Sequence, residues 1–242
     1  LVTLVHWQDI MLGIAVAIVL NGVLCLRLVK FNRTLPFNQQ KNPLTHIGKV
    51  IRDPNTHIFS FSNGLLNVGQ TNFFGFLTLF LTEVARASQP VAGFAMGLAQ
   101  TASFFARIYF GALSDKFVGR RVVLCNWICG TAAVFLAAMI WVTPGWGLWY
   151  AMALVLVLGV TIAAFAPVGQ AIAVEMVDPR LAASAVGYSM VGVHIGGMMG
   201  PVIFGYVVDN WGGYDNAWLV TAGLVAIGVG LLTFKFREGP PE

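Results

Sequence analysis

The sequence predicts an all-α membrane protein of about seven transmembrane helices, and three observations carry that expectation. Charged residues make up 10% of the chain and hydrophobic ones 57%, whereas a soluble domain carries about 25% charged residues. Seven predominantly apolar stretches, at 7–28, 58–82, 91–114, 120–142, 147–174, 181–208 and 216–236, match the ~20 residues that a helix needs to cross a bilayer. The cations are also one-sided. With the polar segment after the first stretch placed inside, twelve of the fourteen Lys and Arg fall inside: Arg27, Lys30, Arg33, Lys41, Lys49, Arg52, Lys116, Arg120, Arg121, Arg180, Lys235 and Arg237. Arg86 falls outside and Arg107 lies within a span. The positive-inside rule then sets the first residue outside and the C-terminus in the cytoplasm. The net charge of +4 thus follows topology, and nucleic acid is not expected as a partner.

The first span, Trp7 to Leu28, has Asp9 at its outer end and Arg27 at its inner end. From 31 to 57 the chain is polar, with Pro36, Pro43 and Pro54. It reads as a cytoplasmic linker with a short surface helix around Pro43 to Ile51. In the second span Asn63, Asn67 and Gln70 fall at i, i+4 and i+7, one helical face of amides. Amides facing hydrocarbon are costly, so the stripe either lines a solute path or bonds a neighbouring helix.

The third span carries Gln100, Ser103 and Arg107 at i−7, i−4 and i. An Arg about two turns inside a membrane surface costs at least a few kcal/mol. Two readings stand: a solute site, or a side chain snorkelling to the cytoplasm. A charged turn, Gly111 to Arg121, reads GALSDKFVGRR and joins this span to the next. The fourth span holds Cys125 and Cys129 at i, i+4. With Cys25 they make an odd count in apolar surroundings, so packing rather than a disulfide is expected.

In the fifth and sixth spans Pro167 and Pro201 are candidate breaks or kinks. The sixth also carries Gly192, Gly196 and Gly200, two GxxxG steps that allow helix backbones to touch. His194 is turned roughly 160–200° from Gly192 and Gly196 at ~100° per residue. It is either a neutral His bonded to a neighbouring helix or a proton relay. No Asp or Glu lies at mid-depth in any span. A repeat runs through the last six spans: Gly111, Asp115 and Gly119 match Gly205, Asp209 and Gly213 in spacing. The charge pattern sets the two stretches on opposite faces, which predicts an inverted three-plus-three arrangement.

Gly111, Asp115, Lys116, Gly119, Arg120 and Arg121 resemble the signature loop of the major facilitator superfamily of secondary transporters, Gly-x-x-x-Asp-Arg/Lys-x-Gly-Arg-Arg/Lys. Val118 is one residue more than that pattern has, which leaves the pairing of Asp115 with Arg120 or Arg121 open. The stretch from Ala92-Gly93 to Arg107, and Gly200-Pro201 with Gly205, Asp209, Tyr214 and Trp218, are similar to the same family. There, nested inverted repeats are an established feature.

The resemblance implies a domain plan. Residues 1–30 would be the last helix of an N-terminal half, 31–57 the inter-half linker, 58–238 the C-terminal six-helix bundle and 239–242 a cytoplasmic tail. Five helices would be missing, and the chain reads as a fragment. The loop would act in gating at the cytoplasmic surface, its Asp paired with a helix of the other half. The implied activity is movement of a small solute by alternating access in a plasma or bacterial inner membrane, with a proton or cation as coupling ion.

Arg107, four residues before Gly111, is similar to branches carrying oxalate, monocarboxylates or nitrate, and the glycine-rich nitrate signature is not evident in the sixth span. The expected solute is therefore a small organic anion such as a mono- or dicarboxylate. Efflux of apolar compounds is the alternative. A retinal-type seven-helix receptor is disfavoured because Lys30, Lys41, Lys49, Lys116 and Lys235 all lie at or beyond span ends. No nucleophile–base pair or metal cluster stands at helical spacing, so neither an enzyme nor a cofactor is expected.

Overall fold

A computed structural model describes residues 7–28, 44–144 and 147–237. Among them are nine α-helices and no strand: α1 Trp7–Leu28, α2 Leu44–Arg52, α3 Pro54–Glu83, α4 Gln89–Ser114, α5 Arg121–Ala137, α6 Gly147–Thr161, α7 Phe165–Glu175, α8 Ala182–Asn210 and α9 Tyr214–Phe234. The chain divides into two units, residues 1–41 and 42–242. The first contains α1, an apolar helix with Asp9 in its first turn and Arg27 in its last, the placement that a helix dipole favours. Residues 31–43 of the expected linker and the 239–242 tail lie outside the described residues.

The segment expected as a linker becomes helical earlier than its composition suggests. Its segment 44–52 is α2, which matches the short helix expected there, and α3 starts at Pro54 rather than 58. The cause is local. Asp53 is extended and its carboxylate accepts hydrogen bonds from the backbone N–H of Asn55 at 3.2 Å and of Thr56 at 3.1 Å. Pro54 follows at the first helical position, where the missing N–H costs nothing.

Five stretches are apolar enough by their own composition to cross a membrane: Gln8–Arg27, Arg121–Trp141, Leu148–Glu175, Ala182–Asn210 and Tyr214–Phe234. The other two, α3 and α4, have 30 and 26 residues, hence lengths of about 45 and 39 Å. They fall short in hydropathy because they carry the amide stripe and the Gln100–Arg107 stretch. The fifth span is broken into α6 and α7 with Ile162 to Ala164 between them. Pro167 then sits at the third position of α7, where the N–H would have no intrahelical partner anyway. By contrast α8 runs unbroken through Pro201.

The packing of unit two follows the repeat. Take α3, α4 and α5 as one triplet and α6–α7, α8 and α9 as the other. The largest contact, α3 on α8, is matched by α4 on α6 and α7, while α3 on α9 is matched by α5 on α6 and α7. The α5–α9 contact relates the two third helices to each other. Both large seams are made by small residues. A Cβ on Gly64 would lie 2.7 Å from the Gly192 carbonyl oxygen, and one on Gly159 would lie 2.8 Å from that of Ala99. The paired turn glycines agree as well, since Gly119 has φ +75° and Gly213 +83°, a region open to glycine and strained for other residues.

The contacts also fix which ends lie together. Asn55 at the start of α3 exchanges two hydrogen bonds with the backbone of Arg237 after α9, at 2.8 and 2.9 Å. His57 bonds Tyr188 near the start of α8 at 2.7 Å. A cavity joins Asp53 and Thr56 to Val177 and Asp178 after α7. At the far end of α3, Glu83 accepts from the Tyr214 hydroxyl of α9 at 2.9 Å. Corresponding helix ends therefore stand on opposite faces, as an inverted repeat requires.

Candidate functional site

Two polar assemblies stand out, one at the end of the bundle where α3 begins and one along its middle. The first is built around Arg121, 7% exposed at the start of α5. Its Nε donates to both oxygens of Glu175 at 3.0 Å. Nη1 donates to Ser114 Oγ at 2.6 Å, and Nη1 and Nη2 both reach Asp115 Oδ1 at 3.4 Å. A buried guanidinium is tolerable when its donors and its charge are both answered, and here the ends of α4, α5 and α7 converge to do so.

This settles the pairing left open by the extra Val118: Asp115 pairs with Arg121, whereas Arg120 and Lys116 are exposed. Asp115–Phe117 forms a 3₁₀ turn and Val118 extends the chain into Gly119, so the additional residue is absorbed within the turn. The Asp115 side chain is 75% exposed and that of Glu175 32%. Glu175 is therefore the stronger partner. Sequence reasoning placed Glu175 only at a span end and missed its role. The signal was in the repeat, because Glu175 and Glu83 close the first spans of their triplets, and each bonds the start of the third helix of the other triplet.

The second assembly concerns the expected solute-lining residues. Arg107, eight residues before Asp115, lies about 12 Å in from that turn at 1.5 Å per residue. It is exposed, as is Gln100, and no carboxylate pairs with it among the described residues. Ser103 does not share this open face. It is 2% exposed, on the small-residue side of α4 with Ala92, Ala95, Ala99 and Ala106, where Ala99 meets Gly159 of α6. At i−4 it neighbours Arg107 in sequence pattern, but helix packing claims that edge of the stripe.

The amide stripe is divided in a similar way. Asn63 is 3% exposed and directed at Gly169 of α7. Its Oδ1 finds no donor among the described residues. Asn67 and Gln70 are half-buried. The Asn67 amide donates to the Val193 carbonyl of α8 at 2.8 Å, the helix-to-helix bond that was one of the two readings of this stripe. Asn72, off the stripe, is also used between helices, donating to Thr221 Oγ1 at 3.0 Å.

His194 is exposed and turned away from the glycine seam. Its Nδ1 bonds the Met190 carbonyl of its own helix at 2.7 Å, not a neighbouring helix. Since a carbonyl only accepts, Nδ1 carries the proton and Nε2 is the ring's acceptor in the neutral form. Gly192, Gly196 and Gly200 lie close against α3: a Cβ on Gly196 would overlap the Gly64 backbone, and one on Gly200 would lie 3.0 Å from Asn72 and Thr71. Cys125 and Cys129 are buried and free, whereas Cys25 is exposed in α1 and is not a core residue of that unit. No cluster of metal-ligating side chains occurs among the described residues.

No curated protein matches the chain. The family model described as Major Facilitator Superfamily matches residues 59–242, which takes in all of the bundle from the first turns of α3 onward. With the charged turn, the paired glycines and the inverted packing, that match identifies the chain as a multi-pass membrane protein belonging to the Major Facilitator Superfamily of transporters.

Proposed function

We propose that this protein moves a small organic anion, a mono- or dicarboxylate, across the membrane by alternating access. One observation carries the reading: a guanidinium, Arg107, stands about 12 Å inside the charged turn on an open helix face with Gln100, with no carboxylate paired to it among the described residues. A cation held at that depth is costly unless something answers its charge, and an anionic solute does so only while bound. Asn67, Gln70 and His194 supply further polar groups around the same depth. Ser103 and Asn63 support them from within the helix seams.

In this account the six-helix bundle is one half of the transporter, and the site is completed by helices of the other half. Asp115, Lys116, Arg120 and Arg121, turned at Gly119 and following the last turn of α4 at Gly111, form the cytoplasmic gate. The C-terminus is cytoplasmic, and a proton or cation accompanies the anion in a plasma or bacterial inner membrane. Efflux of apolar compounds is the second reading, favoured by the exposed Phe104, Phe105, Ile108 and Tyr109 on α4.

Uptake of radiolabelled mono- and dicarboxylates into proteoliposomes of the full-length protein tests the proposal. Arg107→Ala is expected to lower uptake about 10- to 100-fold, the loss that follows removal of a charged hydrogen-bond partner, with expression unchanged. Unaltered uptake would remove Arg107 from the site. A variant that still exports apolar dyes, in a protein that never takes up carboxylates, would favour the second reading.

A further inference from the structure

We infer that a groove along α3 and α8 holds one anionic phospholipid from the leaflet on the α2 side of the bilayer. The groove has a volume of about 460 Å³. It exists because the seam beneath it is made of glycine: Gly64, Gly192 and Gly196 form its floor. Their backbones touch, while larger neighbours stand up on either side. Phe61 and Leu65 make one wall, and Val191, Ile195, Met199 and Ile203 the other. It lies on the opposite flank of α3 from Asn63 and Gln70, so it is separate from the proposed solute site and does not depend on it.

Polarity along the groove is that of an amphiphile. Its polar groups, His57, Ser60 and Tyr188, are gathered at one end, near the starts of α3 and α8. The rest is apolar. From His57 to Val68 and from Tyr188 to Ile203 the helices rise about 17 and 22 Å. One leaflet of a ~30 Å hydrocarbon core is about 15 Å thick. An acyl chain lying there would reach close to the midplane with its headgroup at the polar end.

The charges at that end select the headgroup. The His57 ring is bonded to the Ile51 carbonyl, and Arg52 follows Ile51 at the end of α2. Asn55, two residues before His57, holds the backbone of Arg237. Both Arg side chains are exposed. The nearby acid, Asp53, is committed to the N-terminus of α3 through Asn55, Thr56 N–H and the Thr56 hydroxyl. Two exposed arginines thus adjoin the segments that hold the polar end, Arg52 next to Ile51 and Arg237 on Asn55, while Asp53 is engaged, which suits an anionic phosphodiester better than a zwitterion.

Native mass spectrometry of the purified full-length protein, titrated with dioleoyl phosphatidylglycerol or dioleoyl phosphatidylcholine, tests the inference. The wild type is expected to retain one phosphatidylglycerol at concentrations about tenfold or more below those needed for phosphatidylcholine. Arg52→Gln and Arg237→Gln should each cost about fivefold for phosphatidylglycerol alone, the scale of one cation at an anionic surface. Ile195→Trp, which fills the groove from an exposed position, should abolish retention of both lipids while leaving the elution volume of the protein unchanged. If that variant does not elute as wild type, Val191→Phe serves in its place. Equal retention of the two lipids, retention of neither by the wild type, or full retention by the groove-filled variant would each overturn the inference.

Discussion

At the scale of single residues, Arg121 organises more of the chain than any other charged group described. It is buried, and from the start of α5 it ties the end of α4, through Ser114 and Asp115, to the end of α7, through Glu175. Removing one member of a buried, hydrogen-bonded charge set leaves the others uncompensated, which typically costs about 3–5 kcal/mol. Arg121→Gln should therefore lower the thermal midpoint of the detergent-solubilised protein strongly. Asp115→Asn should change it little, because a 3.4 Å contact to a side chain 75% exposed is worth under about 1 kcal/mol. Melting followed by fluorescence-detected size exclusion separates the two, and equal effects would mean that Glu175 is not the principal partner.

At the scale of elements, the α3–α8 seam is where the sequence most tightly dictates geometry. Without a hydrophobic drive between helices in lipid, close backbone contact must supply the attraction, and glycine is the residue that allows it. Gly196 has the Gly64 backbone where a Cβ would go, while Gly205 on the same helix has open space. Gly196→Ala should destabilise the bundle by about 1–3 kcal/mol, as overpacking does, while Gly205→Ala should be neutral or gain up to ~1 kcal/mol of helix propensity. Comparing yields of monodisperse protein and denaturation midpoints checks this, and similar behaviour of the two variants would refute the seam. The break between α6 and α7 belongs to the same scale. Pro167 marks it in the sequence, yet Pro201 leaves α8 whole, so proline located only the possibility of a break.

At the scale of the whole molecule, an inverted repeat sets two copies of one three-helix plan side by side in opposite orientations. The two charged ends are not equivalent, since one is closed by Arg121 and the other by the Tyr214–Glu83 hydrogen bond. Much of this was legible beforehand: the spans follow from apolar length, and the repeat from Gly–Asp–Gly spacing. What periodicity could not decide was which polar or small face meets a helix and which stays open. In lipid both kinds of face look alike in sequence, because both avoid hydrocarbon. Ser103 was therefore grouped with Arg107 although it belongs to the seam, and Glu175 was not matched to Arg121 because their meeting depends on tertiary contact 54 residues apart. The α3 start was misplaced because its capping by Asp53 lies in a segment whose composition reads as linker. The central claim is that the open face of α4 lines a water-filled pathway while its small-residue face is sealed. Its most direct test is labelling of Gln100→Cys and Ser103→Cys by a membrane-impermeant thiol reagent, in the full-length protein with Cys25, Cys125 and Cys129 replaced by Ala or Ser. The account predicts labelling at 100, slowed by a carboxylate solute, and protection at 103; protection at 100, or labelling at 103 alone, would contradict it.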